Sequence, residues 1–305
     1  MLRTNEQNLV EQSVLGSIAH PRLSLRNPYL IDSSGHARVV PGSGGISYNV
    51  IVGDSAVDFI GDHVEPGVSV AFDEREKNES PQGGLSILTC IGNEAIVVSG
   101  PAAGSKGVVT GKHGGVEHVL IDFAPSVLEK LAIGTRIQIR SFGQGLRLRD
   151  FSDIHVMNVD PRLLRKMGVA QQNNQLFVPV THVIPASIMG SGIGSRHSFS
   201  GDYDIQITDT GIVQKYGLQN LRLGDVIAIR DADCRFGRSL STGAVSIGII
   251  VHTSCITSGH GPGVTVIMST VEKLVVPKIE KDANITHYLE IGRQRRRARP
   301  RRRRR

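Results

Sequence analysis

Along nearly the whole chain, short runs of valine, isoleucine and other apolar residues are closed within a few positions by glycine, proline or aspartate. A run too short for a helix and bounded by turn residues reads as a strand. The pattern gives strands over residues 39–40, 47–52, 67–72, 84–91, 94–99, 107–110 and 117–123, and again over 176–182, 203–208, 225–230, 244–252 and 263–269. The 35 glycines among 305 residues exceed the ~7% of an ordinary chain, as many tight turns require. The expected fold is therefore mostly β, in two β-barrel-like parts, because closure is the natural solution for many short strands. Only short helices are expected. One opens at Pro125 and runs to residue 131, and one opens at Pro161 under an Asp160 cap and ends before Gly168. A third covers residues 5–18, where Leu9, Val10, Val14 and Ile18 recur at helical spacing.

The polar stretch QQNNQ after residue 170 and the helix before it mark a division near residue 160. Residues 1–160 then form an N-terminal β-rich domain and 161–292 a C-terminal one, both of ordinary domain size. Residues 293–305 read RQRRRARPRRRRR and hold ten arginines with no acid. Removing those ten charges from the formal +7 leaves −3 for residues 1–292, so the basic character belongs to the tail. A bare arginine run cannot bury apolar surface, and the tail is expected to be disordered and to bind polyanions without specificity. Cys90, Cys234 and Cys255 lie far apart and form no paired spacing, which fits a reducing compartment and small buried side chains. The first residues are polar, and the longest uncharged apolar runs, such as 245–251, are of strand length. The expectation is a cytoplasmic protein without a membrane segment.

In the first half, residues 96–123 read IVVSGPAAGSKGVVTGKHGGVEHVLIDF. A strand ends at Ser99, and Gly104 and Gly107 bracket a tight turn into the next strand. This arrangement resembles the KOW element of SH3-like barrels, and the resemblance implies contacts with RNA or with a protein partner. Its positive or titratable groups are Lys106, Lys112, His113 and His118. His113 and His118 flank a double glycine that permits close approach of a ligand or another backbone, and two such imidazoles can bind a metal or exchange protons.

The second half carries more chemistry. After His182 comes the glycine loop 190–194, then Arg196 and His197, then Gly201-Asp-Tyr-Asp204 entering a strand. Asp202 and Asp204 at i and i+2 project from one strand face, where two carboxylates repel unless they hold a cation or share a proton. Backbone N–H groups around Gly192 and Gly194 could cradle an anionic group of a small-molecule ligand. His252 ends a later apolar strand, and His260 lies in Gly-His-Gly-Pro-Gly before the next. The expected site has Asp202 and Asp204 holding a divalent metal or a water with His252, and His197 or His260 shuttling protons. Arg196 would pair a substrate carboxylate. A shared first shell requires the two carboxylates to lie within about 10 Å of His252 or His260.

The segments LFVPVTHVIPASIMGSGIG, GDYDIQ, SIGIIVH and SGHGPG, with VVTGKHGGVEHVLIDF and KLAIGTRIQIRSFGQGL, resemble the DUF4438 family over most of residues 35–275. The resemblance implies a β-rich protein with an N-terminal and a C-terminal part. The order of strand, VPxxxP, glycine loop, acidic strand and later His-Gly-Pro-Gly also looks like the acetamidase/formamidase group, which implies hydrolysis of amide-type substrates. That group's G-D-x-H-A segment is replaced here by SGIGSRHSFSGDYD. Two other function classes stand beside a metal-assisted hydrolase. One is an RNA- or protein-binding module built on the KOW-like element, and the other is a homo-oligomeric structural protein whose glycine loops make subunit contacts.

Overall fold

The computed structural model describes residues 2–23, 27–72 and 79–295. The chain is mostly β. In the first half six strands close into a ring through antiparallel pairs. Gln12–Ile18 lies beside Arg136–Ser141, followed in order by Glu94–Val97, Lys106–His113, His118–Asp122 and Gly67–Ala71, which pairs back onto Gln12–Ile18. The sequence RIQIRS shows why: alternate residues Ile137 and Ile139 are fully buried inside, and the arginines face out. Each such isoleucine contributes about 2 kcal/mol by burial. Gly104 turns at φ +85°, and a Cβ on Gly107 would stand 2.6 Å from the Phe123 ring, so both glycines of the expected turn have a steric reason.

The second half forms an open sheet rather than another barrel. Its order is His155–Val156, Gly263–Thr270, Ser239–Ile250, Val226–Asp233 and His182–Pro185, with Tyr203–Asp204 also paired to Gly263–Thr270. Among the described residues one closed ring is shown where two barrel-like parts were expected. Bulges beside Asp231 and at Gly248 bend the long central strands. Gly263–Thr270 is buried at all eight positions because the barrel covers it from the other side. Thr265 joins the two layers: its hydroxyl donates to the Lys112 carbonyl at 3.0 Å, and its oxygen lies 3.2 Å from the Lys112 amide.

Two local expectations are corrected. Residues 5–18 are not a helix but a 3-10 turn, Glu6–Asn8, and the barrel strand Gln12–Ile18. A Cβ on Gly16 would meet Val70 at 2.6 Å, so the chain there lies flat against a neighbouring strand, and pairing overrides the helical spacing. The expected strand over 84–91 lies mainly in the helix Glu79–Leu88, which has Pro81 in its first turn and buries Leu85 in the barrel core. The helix Pro161–Lys166 has its expected Asp160 cap, accepting from the Arg162 amide at 2.7 Å.

The first three residues of the arginine tail are docked on the body. Gly292–Gln294 forms a 3-10 turn, the Arg293 amide donates to the Val52 carbonyl at 3.0 Å, and its guanidinium pairs with Asp54 at 2.9 Å. Arg295 pairs with the buried Asp122. Residues 296–305, on which the expectation of disorder mainly falls, lie outside the described residues. Among the described residues no helix is long and apolar enough to cross a membrane.

Candidate metal centre

The end of the barrel meets the end of the open sheet, and titratable residues from both halves gather there. His63 and Glu65 precede the strand Gly67–Ala71, and His113 ends Lys106–His113. Tyr203–Asp204 pairs with Gly263–Thr270 in the register Asp204 to Gly263. His252 follows Ser239–Ile250, and Cys255 and His260 occupy the next loop. Glycine makes the approach geometrically available. A Cβ on Gly201 would stand 2.5 Å from the Gly114 Cα, and the Gly114 amide donates to Asp202 Oδ1 at 2.8 Å.

His113, Asp202 and His252 offer one ligand atom each, all within 4.8 Å of one another, and all three residues are buried. His252 Nδ1 lies 2.8 Å from the Thr253 carbonyl, an acceptor only, so Nδ1 carries a proton, and Nε2 is hydrogen-bonded to Asp202 Oδ2 at 2.6 Å. His113 Nδ1 is held in the same way by Glu65 Oε1 at 2.5 Å. Glu65 is itself fully enclosed and also bonds His118 Nδ1 at 3.0 Å, the Gly44 amide at 2.7 Å and the Ser69 hydroxyl. Burial alone would raise its carboxyl, but His113 and His118 hold it well below the usual range, so it stays an acceptor. Imidazoles fixed through Nδ1, with Nε2 aimed at a common point, are the arrangement that metal-binding histidines use. Glycine at 263 is what lets Asp202 and His252 come this close to the strand: a Cβ there would lie 1.9 Å from Asp202 Oδ2 and 2.1 Å from His252 Nε2. The donor set therefore fits a divalent cation.

A second set adjoins the first. His63, Cys255 and His260 also present ligand atoms within 4.8 Å of one another. Asp62 Oδ1 lies 2.8 Å from both His63 Nδ1 and Cys255 Sγ. His63 Nε2 and His260 Nδ1 are each 3.3 Å from Asp204 Oδ2. Burial would lower the His63 pKa, but the hydrogen bonds to Asp204, Asp62 and Cys255 outweigh it and push the imidazole up to about 12. Asp204 is held low, against its burial, by His260, His63 and His252. His260 has a side chain 38% exposed and opens the cluster to solvent. Beside Asp62 lies an open cleft of about 590 Å³ whose wall includes His20, Arg38 and Ser43.

Asp202, Asp204, His252 and His260, singled out in the sequence, thus stand within hydrogen-bond distance of one another's partners. Arg196 and His197 do not join them; both are exposed on the loop ahead of Asp202. Gly192 and Gly194 have φ of +90° and +77°, but the loop is tied into the protein rather than free to cradle an anion. The Gly194 amide donates to the Arg238 carbonyl and the Gly190 amide to the Asp204 carbonyl, both at 2.8 Å. Of the KOW-like segment's charged or titratable groups, Lys112, His113 and His118 are buried, and the exposed Lys106 pairs with Glu94. Sequence reading missed Asp62, His63 and Glu65, whose signal was a cluster of acids and imidazole, DHVE, just ahead of an apolar strand. It also read Cys255 as a small buried side chain; it is buried, with its sulfur against Asp62.

Two family models match the chain. The N-terminal domain of unknown function DUF4438 covers residues 29–165, and the C-terminal domain of the same name covers 166–289. The chain is similar to a solved protein, the crystal structure of TM1086, at 49% identity over 94% of this chain and 99% of that one, with a TM-score of 0.89. Among curated proteins there is no match.

Proposed function

We propose that this chain, which belongs to the DUF4438 family, is a metal-assisted hydrolase of small amide-type substrates. The observation that carries the reading is the gathering of His113, Asp202 and His252, drawn from both halves of the chain, with one ligand atom each within 4.8 Å of the others. The strand, glycine-loop and His-Gly-Pro-Gly order shared with the acetamidase/formamidase group supports the amide class of substrate.

When bound, a divalent ion supplies Lewis-acid polarisation and a water of lowered pKa. His113, Asp202 and His252 would hold it, and Glu65 and the Thr253 carbonyl fix the two imidazoles through Nδ1 so that Nε2 would be the donor. Asp204, itself buried but beside the part-exposed His260, would accept a proton from the attacking water at Oδ2. His260 Nδ1, 3.3 Å from that oxygen, passes a proton to the leaving nitrogen. His63 and the Gly261 amide hold Asp204 in place. The burial of the first set restricts the reaction to a small acyl group entering past His260.

The test is ammonia release from formamide, acetamide and larger primary amides by the full-length protein loaded with Zn²⁺, Mn²⁺ or Co²⁺. The expected result is turnover that a chelator removes and that His252→Ala lowers by ~10³-fold or more. A protein that takes up no ion and releases no ammonia under any of these loadings refutes the proposal.

A further inference from the structure

We propose that the cluster is a two-ion centre, in which His113, Asp202 and His252 hold one ion, His63, Cys255 and His260 hold a second, and Asp204 presents one carboxylate oxygen to each. The inference rests on the metal-assisted reading above, adds a second ion to it, and reassigns Asp204 Oδ2 and His260 Nδ1 from proton transfer to holding that ion. Asp204 Oδ1 lies 3.7 Å from His252 Nε2, in the first set, whereas Oδ2 lies 3.3 Å from His63 Nε2 and His260 Nδ1, in the second. The carboxylate is therefore placed between the sets with an oxygen toward each. The rings of His63 and His252 are 5.1 Å apart centre to centre, and those of His113 and His252 are 4.2 Å apart. The two sets are therefore adjacent, as paired ions about 3.5–4 Å from one another require.

Charge points the same way. Among the described residues, no lysine or arginine pairs with Glu65, Asp202 or Asp204; their ionic partners are imidazoles. Three nearly enclosed carboxylates, with Asp62 beside them, have only imidazoles to offset them, a role that two divalent ions would take over. The second set differs in chemistry as well as position. A sulfur with two imidazoles favours a borderline-soft ion such as Zn²⁺ or Co²⁺, and Asp62, 2.8 Å from the Cys255 sulfur, is a ready acceptor for the thiol proton that binding would displace. With His260 at the solvent edge and Asp62 on the wall of the cleft, the second ion is the one a substrate meets first.

The full-length protein, stripped and reloaded with Zn²⁺ or Co²⁺ alone, tests this by ion content and by the absorption of the cobalt form. The expected result is about two ions per chain, with a sulfur-to-cobalt charge-transfer band that Cys255→Ser removes. His260→Ala, at a half-exposed position the fold does not need, should lower the content to about one and keep the first ion; it serves if Cys255→Ser fails to fold. One ion per chain without a sulfur band overturns the second ion and leaves the hydrolase reading standing. Two ions indifferent to both substitutions also overturn it. No bound ion refutes both readings.

Discussion

His252 Nε2 faces Asp202 Oδ2 at 2.6 Å, and only the absence of a side chain on Gly263 leaves room around that contact. Burial would raise the Asp202 carboxyl, but the His252 imidazole holds it ionised. The pair is thus held close, with a hydrogen bond where a cation would sit.

Gly263→Ala tests that space directly. Its Cβ would strike both groups, and neither is the end of a long flexible side chain that swings away at little cost. The expected outcome is metal affinity at least ~10-fold weaker, with a stability loss of about 1–3 kcal/mol from overpacking. Isothermal titration with Zn²⁺ and chemical denaturation measure the two; unchanged affinity in a folded variant would show that no ion uses this space.

Glu65→Gln keeps shape and removes the charge that fixes two imidazoles. One amide oxygen cannot accept from His113, His118, Ser69 and Gly44 as a carboxylate does. We expect a loss of about 3 kcal/mol in denaturant unfolding and ~10–100-fold weaker metal binding through a misaimed His113. Parent-like affinity would show that Glu65 does not orient His113 for an ion.

Lys112 is fully buried, and its ammonium donates to the Phe199 carbonyl at 2.7 Å, Asn158 Oδ1 at 2.8 Å and the Ile87 carbonyl at 3.3 Å. It ties the barrel to the segment leading into Asp202. Lys112→Met leaves three acceptors without that donor and should cost about 3 kcal/mol or more. Burial lowers the Lys112 pKa to about 8. Between that value and the ordinary ~10.4 the unfolded chain holds a proton the native state has lost, so stability rises with pH across the window. Denaturation series from pH 7 to 10 should show that rise in the parent and not in the methionine variant.

The tail divides at residue 295. Truncation after Arg295 should leave stability unchanged, while truncation after Gly292 should cost roughly 1–3 kcal/mol by stripping Arg293 from Asp54 and Arg295 from Asp122. Burial raises the Asp122 carboxyl, and Arg295 opposes that rise. Without Arg295 the native state holds a proton at pH values where the unfolded chain has released it, so stability falls as pH rises through that window. The gap between the two truncations should therefore be widest near neutrality and narrow on acidification. Equal stability at pH 7 would contradict the docking of these three residues.

The strand content was legible because alternation and glycine punctuation act locally, as in RIQIRS and around Gly104 and Gly107. Closure was not. Whether a ring of strands closes depends on Gln12–Ile18 finding both Arg136–Ser141 and Gly67–Ala71, and nothing local in EQSVLGSIA states either partner. The site divides along the same line. Asp202, Asp204, His252 and His260 were visible as polar residues crowded beside glycine loops. His63 meets Asp204 from 141 residues away in sequence, a pairing that only the docking of the barrel end on the sheet creates, and Glu65 reaches the site through His113. Arg196 and His197 carried the right chemistry in the right loop, but the loop turns them outward while it delivers Asp202.

The most direct measurement is anomalous diffraction at the zinc edge from crystals of the full-length protein grown with Zn²⁺. The account predicts a peak about 2.0–2.2 Å from the Nε2 atoms of His113 and His252 and from an Asp202 carboxylate oxygen. Anomalous density confined to surface residues, with His252 still bonded to Asp202 and nothing between them, would contradict it.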